Sequence, residues 1–174
     1  YIVRYADDFK IFCRKRKDAD KIFHAVIQWL KQRLSLDISE EKSKIVNLRK
    51  QKSEFLGFEM KLVRKADKYV VQSHMSKKAM NKAENNLKEQ IKRIQHPAND
   101  REQAKEISIY NSMIVGIHNY YNKATLIAFD CSKVNYIISN WIDNRLNVTK
   151  QGAIQNKYLS KKYGKSQQIR WLNN

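Results

Sequence analysis

Two adjacent carboxylates are the residues of this sequence best suited to chemistry. Asp7 and Asp8 stand between short runs rich in Ile, Val, Tyr and Phe, in the stretch YIVRYADDFKIFC. Such runs predict a strand on each side of a tight turn. Neighbouring carboxylates repel each other, and a hard cation such as Mg²⁺, or Mn²⁺ in its place, relieves that repulsion. The pair therefore indicates metal ligands, while the alternative is an ordinary turn rich in Asp.

The elements that must position these carboxylates are strands and one helix. Residues 1–5 and 9–13 read as the strands of a hairpin. Asp18 is the expected N-cap of a helix with an apolar stripe that ends near Leu36. A strand is expected at residues 45–48, and the segments SEFLGFEMKLV and KYVVQS predict two more. A helix between strands on one face of a sheet is an α+β arrangement.

The pattern changes near residue 75, beyond which apolar residues recur every three or four positions. Three such stripes cover residues 80–94, 107–121 and 134–146, and His96-Pro97 ends the first. Three amphipathic helices of this length predict a small bundle. The expected organisation is an α+β chain with antiparallel strands and one packing helix in residues 1–75, followed by a three-helix bundle in residues 76–174.

The charge of the chain points to a polyanionic partner. The sequence has 35 Lys and Arg against 17 Asp and Glu, a formal net charge of +18, which favours nucleic acid. After Asp143 there is no acid, while basic and aromatic residues alternate. This tail is a candidate nucleic-acid surface; the alternative is a solvated helix face whose aromatic residues pack inward. Its candidate contact residues are Lys157, Tyr158, Lys161, Lys162, Tyr163, Lys165 and Arg170.

Cysteine usage and apolar run length exclude several classes of protein. Cys13 and Cys131 are far apart and lack a CxxC partner, so we do not expect a structural zinc site. Two free thiols indicate a reducing compartment. No apolar run is long enough to span a bilayer, and we expect no membrane partner. The interpretation from these observations is a cytoplasmic protein.

The order of several short motifs resembles that of group II intron-encoded reverse transcriptases, also called maturases. YADD (residues 5–8) resembles the Tyr-x-Asp-Asp motif of reverse transcriptases. LSLDISEEKSKI is similar to the next motif, FLGF (residues 55–58) to the primer grip, and YNSMIVGIHNYYNKA (residues 110–124) to the thumb signature, or domain X. The resemblance covers nearly the whole chain, and it makes residues 1–75 the C-terminal part of a polymerase palm and residues 76–174 the thumb.

The resemblance implies roles for particular residues. Asp7 and Asp8 would bind catalytic metal, and Lys42 would act as general acid or charge clamp at the pyrophosphate leaving group. The primer grip would comprise Phe55, Leu56 and Gly57. Nucleic acid would also be contacted by Tyr5, Ala6, Asn119 and Tyr120.

The implied activity is RNA-directed DNA polymerisation. Its partners would be an RNA template with a DNA primer, deoxynucleoside triphosphates and group II intron RNA, whose splicing the protein would assist. The location that the resemblance implies is a bacterial nucleoid or ribonucleoprotein, or an organelle. The family needs a further Asp on an earlier palm strand and a fingers region, and this chain begins at the YADD motif. We therefore expect a piece of a longer enzyme that is inactive alone.

Two other interpretations stay open at this point. One is a non-catalytic RNA-binding maturase module in which Asp7 and Asp8 have no catalytic role. The other keeps the polymerase but assigns it to the retron, diversity-generating or CRISPR-associated reverse transcriptases, which share the Tyr-x-Asp-Asp motif. The thumb signature at residues 110–124 favours the intron type.

Overall fold

The computed structural model describes residues 1–146, 148, 153–154 and 167–172 of the 174. The fold is α+β, with antiparallel strands and, in the described residues, four helices, which confirms the predicted fold class. The chain divides into two compact units, Tyr1–Asn47 and Leu48–Asn174. This division lies well before residue 75, because the second sheet packs with the helices that follow it.

The first unit consists of a hairpin and a helix. Strands β1 (Ile2–Tyr5) and β2 (Asp8–Ile11) pair antiparallel, and α1 spans Arg16–Leu34. No side chain of this unit is fully buried, even though α1 is amphipathic. The unit therefore leaves apolar side chains exposed on both the hairpin and the helix, at Tyr1, Ile2, Val3, Tyr5, Phe9, Phe12, Trp29, Leu34 and Leu36.

Two local predictions for residues 1–48 were wrong, the Asp18 N-cap and the strand at residues 45–48, whereas α1 ends close to its predicted end. Helix α1 begins before Asp18, which lies in its first turn, and Lys15 is the N-cap without a side-chain capping bond. The helix ends before Leu36, because Ser35 adopts a left-handed conformation with φ of 52°. Residues 45–48 form irregular backbone and a turn rather than a strand, since a short run of Ile and Val does not form a strand without a pairing partner.

The second unit begins with a three-stranded antiparallel sheet in the order β3-β4-β5. Its strands are β3 (Ser53–Phe55), β4 (Phe58–Lys65) and β5 (Lys68–Met75). The segment predicted as one strand, SEFLGFEMKLV, is therefore two strands joined by a tight turn. The sheet is joined to the helices that follow, because Ser73 exchanges main-chain and side-chain hydrogen bonds with Thr125 and its oxygen accepts from Leu126 N.

Three helices form the core of the second unit and confirm the three predicted stripes. They are α2 (Lys77–Gln95), α3 (Asp100–Tyr121) and α4 (Ile127–Arg145). Ser76 caps α2 by accepting from Ala79 N, and Asn99 caps α3 in the same way. One side of each helix is buried in a shared cluster: Leu87, Ile91, Ile94, Ile107, Tyr110, Ile114, Cys131, Val134, Ile138 and Ile142. None of the helices described is long and apolar enough to cross a membrane.

The last described residues are attached to this bundle. Short strands β6 (Ala153–Ile154) and β7 (Gln167–Gln168) pair antiparallel. Asn111 on α3 binds the main chain on both sides of Ile169, donating to Gln168 O and accepting from Arg170 N. Ile169 is buried, so this part of the predicted basic tail belongs to the core.

Candidate active site

The Asp7-Asp8 pair lies at the tip of the first hairpin, as the sequence predicted. Tyr5 pairs with Asp8, so Ala6 and Asp7 form a two-residue turn. Ala6 has a positive φ of 52°, a conformation that is costly for a residue with a Cβ. The Arg4 side chain supports the turn by donating from Nε to Ala6 O at 2.7 Å. The turn and the first residue of β2 thus present two exposed carboxylates side by side.

The same turn occurs a second time, at the tip of the β4–β5 hairpin. Lys65 pairs with Lys68, Ala66 has a φ of 52°, and Arg64 Nε donates to Ala66 O at 3.2 Å. Both turns follow the local pattern Arg-x-Ala-Asp. The turn shape is therefore a property of four residues, and what distinguishes the first hairpin is the second acid, since Lys68 stands where Asp8 does.

The first hairpin offers carboxylate oxygens, which suit Mg²⁺, but only two side chains supply them. Asp7 and Asp8 are exposed and make no ion pair or side-chain hydrogen bond with the residues the structure describes, so their oxygens are available. Hard carboxylate oxygens suit Mg²⁺ or Mn²⁺. Across the described ranges, however, no group of three or more His, Cys, Asp and Glu side chains could hold a metal. Two carboxylates alone would hold a divalent ion weakly.

Lys42, the predicted general acid, lies in a turn after α1. Its main-chain N donates to Ser39 O at 3.2 Å, and its residue is exposed. Its side chain makes no ion pair with the described residues. The structure thus leaves the ammonium group available, and its assignment to a leaving group remains a prediction.

The predicted primer grip is a tight turn between β3 and β4. Phe55 pairs with Phe58, and the two residues between them have positive φ, 50° for Leu56 and 77° for Gly57, as in a type I′ turn. Both carbonyl groups of the turn are used: Leu56 O accepts from the Tyr120 hydroxyl at 3.1 Å, and Gly57 O from Ser76 N at 2.7 Å.

Gly57 is required for steric reasons as well. A Cβ at this position would lie 2.7 Å from the Tyr121 hydroxyl oxygen, a distance that forces something to move. Tyr121, Tyr120 and Phe58 form one aromatic cluster behind the turn, with ring centroids 4.8 to 5.7 Å apart. Burial is the main cause of a raised pKa at Tyr121, so its hydroxyl is a neutral group next to the turn.

A groove of about 640 Å³ runs beside this turn, between α2 and α3. Three polar residues of α2, Lys78, Lys82 and Asn86, follow one another at four-residue spacing along one wall and are exposed. The other wall is apolar and belongs to α3, with a gap at Gly116, where an added Cβ would meet nothing within 4 Å. Its apolar lining residues are Met113, Ile117 and Tyr120.

The groove changes the set of candidate contact residues. Sequence reasoning missed Lys78, Lys82 and Asn86; the signal was present as their i, i+4, i+8 spacing on the polar side of the first stripe. Tyr120 was predicted to face nucleic acid, and it does line the groove while it binds Leu56. Asn119 is exposed near the end of α3 but does not line the groove.

The remaining candidates belong to the hairpin tip and the basic tail. Tyr5 is exposed, with 64% of its surface accessible, and Ala6 is exposed in the turn. Arg170 is exposed, whereas Trp171 beside it packs against the core. The other predicted tail contacts lie outside the described residues: Lys157, Tyr158, Lys161, Lys162, Tyr163 and Lys165.

Comparison with protein-family models gives a match to part of this chain. Residues 1–60 match the model of the family described as reverse transcriptase (RNA-dependent DNA polymerase). The matched range contains the Asp7-Asp8 tip, Lys42 and the Leu56-Gly57 turn, and it ends within β4. A search of curated proteins finds no match.

Proposed function

We propose that this chain supplies catalytic carboxylates and a primer-holding groove to an RNA-directed DNA polymerase. The observation that carries the proposal is the hairpin tip with two adjacent, unpaired carboxylates inside the range that matches the reverse transcriptase family. A lone carboxylate on the same turn at Asp67 has no such partner, so the pair at Asp7 and Asp8 is the chemical difference between the two tips.

Asp7 and Asp8 would hold Mg²⁺, or Mn²⁺, at the hairpin tip. When bound, a pair of such ions stabilises the attacking and leaving oxygens of a phosphoryl transfer. The ammonium group of Lys42 would donate a proton or a compensating charge to the departing pyrophosphate of the deoxynucleoside triphosphate. Tyr5 and Ala6 would lie next to the primer end. Since the described residues provide no third ligand, we propose that the chain alone does not polymerise DNA.

The groove beside the Leu56-Gly57 turn is suited to the backbone of a primer–template duplex. Phosphates are attracted by the ammonium groups of Lys78 and Lys82, and Asn86 offers an amide donor. Gly57 lets a strand approach the main chain closely, and Phe55 at the end of β3 supports the turn through its pairing with Phe58.

The finer proposal is a group II intron reverse transcriptase that also binds intron RNA and assists its splicing, in a bacterial or organellar ribonucleoprotein. Its support is the resemblance of residues 110–124 to the thumb signature, which here covers the C-terminal half of α3 and the turn after it. In this proposal residues 1–75 are palm and residues 76–174 are thumb. The test is to bind labelled intron RNA and add an excess of an RNA hairpin of unrelated sequence. Intron RNA that stays bound would distinguish this type from other reverse transcriptases.

The metal part is tested by titrating the full chain with Mn²⁺ and following free Mn²⁺ by electron paramagnetic resonance. We expect weak binding, at about millimolar concentration, that Asp7→Asn reduces. Asp67→Asn is the matched control, because Asp67 occupies the same turn without a neighbouring acid, and it should change nothing. Equal loss in both variants, or tight binding that survives Asp7→Asn, would place the metal elsewhere.

The groove part is tested by measuring the affinity for an RNA–DNA primer–template duplex at several salt concentrations. Lys78→Gln with Lys82→Gln should weaken binding and lower the slope of log K against log salt by about one for each true phosphate contact. The matched control is Lys65→Gln with Lys68→Gln at the β4–β5 tip, which should have little effect. A larger effect of the control pair would reject the groove.

Activity itself gives a third readout. Primer extension in Mg²⁺ should be absent both in the unaltered full chain and in its Asp7→Asn variant. Extension that disappears in Asp7→Asn would support the polymerase assignment and refute the proposal that this chain is inactive alone.

A further inference from the structure

Helix α4 exposes a row of side chains that the bundle does not use. Phe129, Lys133, Tyr136 and Asn140 follow one another at intervals of four, three and four residues, so they share one side of the helix. We call this row the α4 stripe. Phe129 is 56% exposed and Tyr136 is 71% exposed. Neither aromatic side chain contributes to the core cluster, whose α4 members lie on the opposite side.

The stripe is cationic as well as aromatic. Lys133 Nζ lies 4.2 Å from the centroid of the Phe129 ring, a cation–π arrangement. From residue 131 to residue 142 the sequence has no acid, and the exposed Asp143 lies one turn beyond Asn140, at the C-terminal end of the stripe. Asp130 beside Phe129 is 2% exposed and accepts hydrogen bonds from Met75 N and the His74 ring, so it presents no negative charge at the stripe.

We infer that the α4 stripe binds a single-stranded segment of nucleic acid, with bases stacked on Phe129 and Tyr136 and phosphates near Lys133. Exposed aromatic faces accept bases of any sequence, and a nearby cation tracks the backbone. At 1.5 Å per residue the two rings are about 10 Å apart along the helix, enough for nucleotides of an extended strand to reach both.

This surface is separate from the groove. The groove is lined by β3, the β3–β4 turn, α2 and α3, and α4 contributes no lining residue. The inference rests on the proposed function only in taking nucleic acid as the partner of this basic chain. A duplex in the groove and a single strand on the α4 stripe would be bound by different residues, and each can be removed without touching the other.

The test measures the affinity of the full chain for fluorescein-labelled single-stranded oligouridine by fluorescence anisotropy. Phe129→Ala with Tyr136→Ala should raise Kd by about tenfold or more, since both bases lose the aromatic face on which they stack. Lys133→Gln should lower the salt slope by about one. Tyr69→Ala removes an exposed aromatic side chain from the β4–β5 hairpin and is the matched control, with no change expected.

The outcomes separate this inference from the proposed function. Unchanged oligouridine affinity in the double variant would overturn the α4 stripe, even where the Lys78 and Lys82 variants still weaken duplex binding. Weakened oligouridine binding in the double variant, together with unchanged duplex binding in the Lys78 and Lys82 variants, would support the stripe and reject the groove. If the double variant does not fold, ultraviolet cross-linking of the unaltered chain to 4-thiouridine-substituted RNA decides: cross-links at Phe129 or Tyr136 support the stripe, and cross-links confined to other elements overturn it. The stripe would also be overturned if Phe129→Ala with Tyr136→Ala weakened duplex binding as much as it weakened oligouridine binding.

Discussion

The hydroxyl of Tyr120 donates a 3.1 Å hydrogen bond to the main-chain oxygen of Leu56, a residue 64 positions earlier in the chain. This bond joins the end of α3 to the β3–β4 turn. Because Leu56 has a left-handed conformation that L-residues disfavour, its carbonyl orientation depends on such support. The proposed primer grip is therefore a joint product of the sheet and the third helix along the chain.

Tyr120→Phe should keep the aromatic packing on Phe58 and remove only this bond. We expect the free energy of unfolding to fall by about 0.5–1.5 kcal/mol, measured by urea denaturation followed by circular dichroism. Duplex affinity should fall as well, because the turn beside the groove loses one support. An affinity loss without any stability loss would mean that the hydroxyl contacts the duplex itself rather than Leu56.

Gly57→Ala should be considerably more damaging. The positive φ of 77° disfavours any L-residue, and the new Cβ would meet the Tyr121 hydroxyl at 2.7 Å, so a loss of about 2 kcal/mol or more is expected. Tyr121→Phe removes the clashing oxygen. The double variant should therefore recover part of the loss in a double-mutant cycle, leaving the backbone strain. No recovery would show that strain alone accounts for the effect.

The buried carboxylate of Asp130 should contribute strongly to stability. It is 2% exposed and accepts from Met75 N at 2.8 Å and from His74 Nδ1 at 3.0 Å, which ties α4 to β5. Asp130→Ala would leave the buried Met75 amide without its partner and should cost about 3 kcal/mol. Asp143→Ala, on an exposed turn of the same helix, is the control and should change stability by less than about 0.5 kcal/mol. Similar losses in both would contradict the role of burial.

The two thiols should differ in reactivity. Burial raises the pKa of Cys131 from 9.0 to about 11, and the thiol is 2% exposed, whereas Cys13 is half-buried. A thiol reagent at pH 8 should label Cys13 rapidly and Cys131 only after unfolding, because the thiolate is the reactive form. The folded state binds the Cys131 proton more tightly than the unfolded state. Its contribution to stability is therefore complete below pH 9 and is lost as the pH rises toward 11. Equal labelling rates in the folded chain would refute the buried position.

Periodicity was sufficient to predict the helical part of the fold. The three stripes gave α2, α3 and α4 because each helix buries one side in a common core, and a buried side repeats every three to four residues. The Asp7-Asp8 hairpin was also predictable, since its strands and its turn depend on neighbouring residues. Residues 45–48 show the limit: β-branched residues form a strand only where a partner strand supplies hydrogen bonds, and the sequence does not reveal that partner.

The division into compact units and the groove depend on contacts between residues that are distant in the sequence. The predicted boundary near residue 75 followed the change from alternation to helical spacing. The compact units divide between Asn47 and Leu48, because Ser73 and Met75 bond to Thr125 and Asp130. The division into palm and thumb near residue 75 stays a prediction. The groove likewise needed Lys78 and Lys82 to lie beside the Leu56-Gly57 turn, and no local pattern encodes that proximity.

The two proposed substrate-handling turns also differ in when they can form during synthesis. The Asp7 turn needs only Arg4, its own strands and a hairpin closure that takes about 1–10 μs. The Leu56-Gly57 turn needs Tyr120, which is translated 64 residues later, or about 3–13 s later at 5–20 residues per second. A nascent chain would thus display its acidic tip well before it could hold a primer. Premature termination before α3 would yield a product with the proposed metal ligands and without the Tyr120 support of the proposed grip.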